Sequence, residues 1–133
     1  MEIFANFNLH EALAHLMALA LAYGLALPIG WNREKEERSA GIRTFPLVAM
    51  AACSFVLIST SLPGATPDVQ SRILAGLMTG IGFVGGGAIL KQGDRATGTA
   101  TAASLWATGA IGAAVGYGGL DIALILSLVI FLT

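Results

Sequence analysis

Apolar residues in this chain are gathered into long blocks, with few polar positions inside any of them. The blocks cover residues 13–29, 45–62, 73–90 and 100–117, each close to the ~20 residues that cross ~30 Å of hydrocarbon as a helix. A fifth begins at Leu120 and is still apolar at Phe131 and Leu132. As a helix, 120–133 would reach only ~21 Å, so the natural protein is expected to continue and the last helix to be truncated. Block 73–90 holds no charge and is framed by Arg72 and Lys91. Between the blocks lie short turn-like links, PGATPD (63–68), KQGDRATG (91–98) and GYGG (116–119). The pattern predicts an all-α membrane protein: one transmembrane domain over 1–133, a bundle of about five helices with short loops.

Composition agrees. Hydrophobic residues make up 56% of the 133 and charged residues 11%, with mean hydropathy +0.78, whereas soluble domains are about 25% charged. A water-soluble globule of this size needs more polar cover, so the apolar excess faces lipid or a partner. A net charge of −1 offers no attraction to nucleic acid. Cys53 is the one cysteine, which excludes a disulfide framework. The N-terminal stretch carries Glu2 and Glu11 and lacks the basic cluster of a signal peptide, so the first apolar block is expected to be retained.

Six of the seven Lys/Arg residues, Arg33, Lys35, Arg38, Arg43, Lys91 and Arg95, fall in two of the links. By the positive-inside tendency the N-terminus lies outside, loops 31–44 and 91–99 lie in the cytoplasm, and the C-terminus is cytoplasmic. Arg72, beside Asp68, is the exception. Trp31 and Trp106 fall near the inner interface and Tyr117 near the outer one, where such rings settle.

Gly80-x-Gly82-x-x-Gly85 has the spacing of a dinucleotide-binding fingerprint. It lacks the preceding strand, the amphipathic helix and the acidic residue about 20 positions on that the fold requires; Leu105 stands there, and no cofactor is expected. On a helical wheel Gly76, Gly80 and Gly87 form one strip and Thr79, Gly82 and Gly86 the next, opposite Leu74, Leu77, Ile81, Val84 and Ala88. Gly76/Gly80 and Gly82/Gly86 are GxxxG pairs, which bring backbones close in lipid. The third helix is therefore expected to be a central packing helix. The fourth offers a matching face of Ser104, Thr108, Gly112 and Gly116. The same glycines, with Gly85, Thr101, Ser104 and Thr108, could instead line a narrow polar path, or unwind at Gly85-Gly86-Gly87 to present carbonyls to an ion.

At the inner surface, Arg33 and Arg43, with Lys91 and Arg95, are expected to converge on an anionic lipid head group or an acidic partner. Glu34 with Arg38 and Arg33 with Glu37 have ion-pairing spacing on a helix. Thr44 is the expected N-cap of the second helix, with Pro46 in its first turn. His10-Glu11 followed by His15 misses the H-E-x-x-H zinc spacing by one residue; Glu11 and His15 are spaced to pair at the outer interface. Carboxylates are otherwise confined to Asp68, Asp94 and Asp121 at helix ends or loops, so neither a magnesium cage nor an intramembrane acid is visible. No metal site, catalytic set or enzyme activity is expected.

AGIRT (40–44), GIGFVGGGAI (80–89) and TGTATAASLWATGAIG (97–112), in this order, resemble the signature stretches of the MgtC/SapB family of bacterial inner-membrane proteins. Arg33, Glu34, Gly41, Arg43 and Thr44 fit the family pattern, as do Gly80, Gly82, Gly85, Gly87, Thr101, Trp106 and Gly112. Asn32 stands where an acidic residue is usual and Phe45 where His is frequent. The resemblance implies a five-helix membrane domain with an outer N-terminus, often followed by a cytoplasmic domain, and a link to growth in low magnesium, stress and virulence. The expected function is non-enzymatic docking with other membrane proteins or itself; two GxxxG pairs permit a homodimer without requiring one. The alternative is a small ion transporter or channel, its ion unspecified.

Overall fold

In the computed structural model, residues 7–35 and 40–133 are described. They form α1 (Leu9–Lys35), α2 (Thr44–Ser61), α3 (Pro67–Gly87), β1 (Leu90–Gln92), β2 (Arg95–Thr97), α4 (Thr99–Gly116) and α5 (Leu120–Leu132). The architecture is the expected all-α membrane bundle. The Glu34–Arg38 and Arg33–Glu37 pairings involve residues outside the described ones.

Helix ends follow capping chemistry rather than the edges of the apolar blocks. Asn8 opens α1: its side-chain oxygen accepts the His10 N–H at 3.0 Å and its carbonyl accepts that of Ala12. α3 begins before its first apolar residue because Thr66 caps it, accepting the Val69 N–H at 3.4 Å, with Pro67 and Asp68 in the first turn. Thr44 does not cap α2; it is the first helical residue. The Gly41 carbonyl takes the N–H groups of Thr44 and Phe45 instead, at 3.0 and 3.2 Å.

Pro28 lies inside α1 and removes a helical donor there. Close by, Ser127 of α5 donates to the Leu25 carbonyl at 2.7 Å, tying α5 to α1 beside the proline.

The hub is α4, which packs against α1, α2, α3 and α5. Its small residues make this possible. A Cβ at Gly112 would run into the Ala49 carbonyl of α2, and one at Gly116 would lie 2.7 Å from Val56. Gly109 receives the end of Ile81 from α3. Phe45, Val56, Leu105 and Ile111 fill the interior, with Ala22, Ala26 and Ile29 of α1 and Ala123 of α5.

α3 is peripheral, which corrects the sequence-based expectation. Its single buried position is Gly85, where a Cβ would sit 3.0 Å from the Ala102 carbonyl of α4. Leu74, Leu77 and Ile81 turn toward the bundle, while Gly76, Gly80, Gly82, Gly86 and Gly87 have nothing near a Cβ position. The helix is turned the other way because α4 supplies the hollows, so α3 contributes the side chains that fill them. Its small face is left outward.

The link from α3 to α4 is an antiparallel hairpin with Leu90 opposite Thr97, Lys91 opposite Ala96 and Gln92 opposite Arg95. Gly93, at φ +61°, makes the two-residue turn with Asp94. Gly98, at φ +85°, closes the base so tightly that a Cβ would collide with the Ala88 carbonyl.

Candidate functional site

Three features gather the residues singled out by sequence. The first is the outward face of α3. Gly76, Thr79, Gly80, Gly82, Gly86 and Gly87 are exposed on it, and Phe83 projects from their midst with 86% of its surface free. Gly76 and Gly80 also edge a groove of about 420 Å³ between α2 and α3, whose other walls include Val48, Phe55 and Ile73. A second groove, about 250 Å³, runs between α3 and α4 past Met78, Trp106 and Tyr117. α3 thus has an apolar channel on each flank and an uncovered glycine face.

Among the described residues, the small faces of α3 and α4 do not meet in a shared path. The glycine strips look away from α4, and Gly85 is the member that touches it. Gly85-Gly86-Gly87 stays helical, with the Gly85 and Gly86 carbonyls taken by the Ala88 and Ile89 N–H groups at 3.0 and 3.1 Å. The Gly85 and Gly86 carbonyls are therefore engaged.

The second feature is polar and interior. Thr101, Ser104 and Thr108 are buried, and Gly112 continues their face toward α2. Arg33 reaches across from α1, 5% exposed, and donates from a terminal nitrogen to Ser104 Oγ at 3.1 Å. Thr108 Oγ1 donates back to the Ser104 carbonyl at 2.7 Å. Thr101 Oγ1, one turn from Ser104, has no hydrogen-bond partner in the structure. Arg33 therefore does not join the other cations at the surface, because the small α4 face leaves a slot that its long side chain enters. Arg43, Lys91 and Arg95 are exposed. Sequence reading missed the contact between Arg33 and α4; the clue was the pairing of a basic residue at one helix end with hydroxyls near an adjoining one.

The third feature is the elbow between α1 and α2. Glu34 Oε2 accepts the Ile42 N–H at 2.8 Å. A Cβ at Gly30 would lie 2.9 Å from Ile42 Cα, and one at Gly41 would strike the Glu34 side chain. Glu34, Gly41 and Thr44 thus serve the turn itself. Beside them Lys35 Nζ lies 5.4 Å from the centre of the Trp31 ring.

Arg72 pairs with Asp68 at 3.0 Å on an exposed turn of α3, an arrangement of little energetic weight. Among the described residues no ion pair joins Glu11 to His15, and no three His, Cys, Asp or Glu side chains gather as a metal would need.

Comparison with known proteins adds the following. The description of the MgtC family matches residues 18–133. Protein MgtC of Brucella abortus (strain 2308) is 41% identical over 109 residues, covering 81% of this chain and 45% of that protein. Protein MgtC of Salmonella typhimurium (strain LT2) is 38% identical over 116 residues, covering 87% and 49%. The chain thus spans about half the length of these relatives. No solved structure matches it.

Proposed function

The chain belongs to the MgtC family, and on that premise we propose a non-enzymatic protein of the bacterial inner membrane that works by helix–helix docking, with itself or with other membrane proteins. The observation that carries this is the empty space over Gly76, Gly80, Gly82, Gly86 and Gly87. On water-based scales a glycine inside a helix costs about 1 kcal/mol relative to alanine. No described residue offsets that cost along the outer face of α3, whereas a second helix lying against it would do so through close backbone contact. Phe83 supplies a protrusion and the neighbouring glycines supply hollows, the two halves of a self-complementary contact. In this reading the N-terminus is outside and the hairpin and C-terminus are cytoplasmic. Its physiological setting, magnesium limitation and stress, follows from the family resemblance.

The test is association in a bilayer. Dye-labelled protein in lipid vesicles, counted by stepwise photobleaching, is expected to be dimeric at high protein-to-lipid ratio. Gly80→Leu is expected to weaken the pair by about 1–3 kcal/mol, the range for overpacking a tight contact. Gly24→Leu is the control, since Gly24 on α1 is equally open. A monomer at every ratio, or a dimer indifferent to Gly80→Leu, overturns self-docking.

The second reading, an ion path, is favoured by the buried hydroxyls of Thr101, Ser104 and Thr108. Against it, the Ser104 hydroxyl is already engaged by the Arg33 guanidinium.

A further inference from the structure

At the α1–α2 elbow an open pocket of about 250 Å³ is lined by Trp31, Glu34, Lys35 and Ile42. Its chemistry is mixed. Among the described residues it offers one carboxylate, one ammonium, an indole face and an aliphatic wall. The carboxylate is fixed in place: one oxygen accepts the Ile42 N–H, and Gly41 lies so close that any Cβ would strike it. A carboxylate has two oxygens with about four acceptor positions, so this bond leaves capacity for a further donor. Lys35 is poised over Trp31, a ring of the kind that settles at head-group depth.

Opposite charges in one pocket, beside an aromatic ring at the end of a membrane helix, match a head group that itself carries both charges. We propose that this elbow is a binding site for an aminophospholipid, of the phosphatidylethanolamine type. Lys35 receives the phosphate, the free acceptor capacity of Glu34 receives the primary ammonium, and Trp31 flanks the pair. A purely anionic lipid fits less well because it brings no ammonium to meet the Glu34 carboxylate, and a choline head group has no N–H to donate. The site is independent of α3 docking and requires only that the elbow lie at a membrane surface, inner or outer.

Trp106→Phe leaves Trp31 as the sole tryptophan, the chain having two. That variant, reconstituted into vesicles mixing phosphatidylethanolamine and phosphatidylglycerol, one or the other brominated on its acyl chains, reports which lipid sits beside Trp31 through fluorescence quenching. The expected result is a preference of about threefold for the ethanolamine lipid, the size an exposed ion pair supports. Glu34→Gln is expected to bring the ratio to about one, since the amide oxygen still accepts from Ile42 but carries no charge. Equal quenching by the two lipids, or a preference for phosphatidylglycerol, overturns the proposal without any variant. A preference that survives Glu34→Gln overturns it too, because the amine is then held elsewhere.

Discussion

Ser104 and Thr101 sit one turn apart on α4 and predict opposite outcomes. Ser104 accepts from a guanidinium that is shielded from water and lipid alike. Ser104→Ala deprives that charge of a partner, which costs about 1.5–3 kcal/mol for a hydrogen bond to a charged group. Thr101 Oγ1 is buried without a partner, so Thr101→Val is expected to leave stability unchanged or raise it by up to about 1 kcal/mol. Unfolding in mixed micelles, followed by helical circular dichroism, checks both. If the two substitutions are equally harmful, the bond from Arg33 does not stabilise the bundle. From sequence, Arg33 reads as one more basic residue at an inner helix end. Which of several cations turns inward depends on the rotation of α1 about its axis, and its small and large residues do not settle that.

The same limit applies to whole helices. Long apolar blocks announced the spans because each must satisfy its own backbone in lipid, and the T-P-D start of α3 was written in capping residues. The facing of α3 was not, because GxxxG specifies close approach without saying to what. α3 and α4 both carry small-residue faces, and a packed seam needs side chains from one to fill hollows in the other. On the α3 side, α4 kept the hollow at Gly109 and α3 gave Ile81 to fill it, while Gly112 and Gly116 face α2. The hairpin had a signal in Gly93-Asp94, a favoured two-residue turn, hidden by reading the charged link as plain loop. A paired measurement follows at this scale. Gly112→Ala places a methyl against the backbone of α2 and is expected to destabilise the monomer by about 1–3 kcal/mol, with Gly80→Ala within about 0.5 kcal/mol of wild type. Micelle unfolding at high dilution, where association does not contribute, compares them; an equal loss for both removes the distinction between inner and outer glycines.

For the molecule as a whole, the docking reading proposed above predicts no conduction through a single copy. A guanidinium occupies the interior next to the buried hydroxyls of Thr101, Ser104 and Thr108, and the Gly85 and Gly86 carbonyls are held by the Ala88 and Ile89 N–H groups. Proteoliposomes at one copy per vesicle are expected to show no Mg²⁺ uptake above protein-free vesicles by an entrapped fluorescent indicator. Uptake that Ser104→Ala alters would restore the path reading.

Among these helices the hairpin stands apart. Its base is clamped by Gly98 against Ala88, while Gly93 and Asp94 at the tip touch nothing that the helices depend on. The helices on either side are thereby insulated from whatever the tip carries. Foreign sequence, such as an epitope or a small fluorescent domain, spliced between those two residues would leave the register of α3 and α4 undisturbed, and the same insertion at the clamped end would prise them apart.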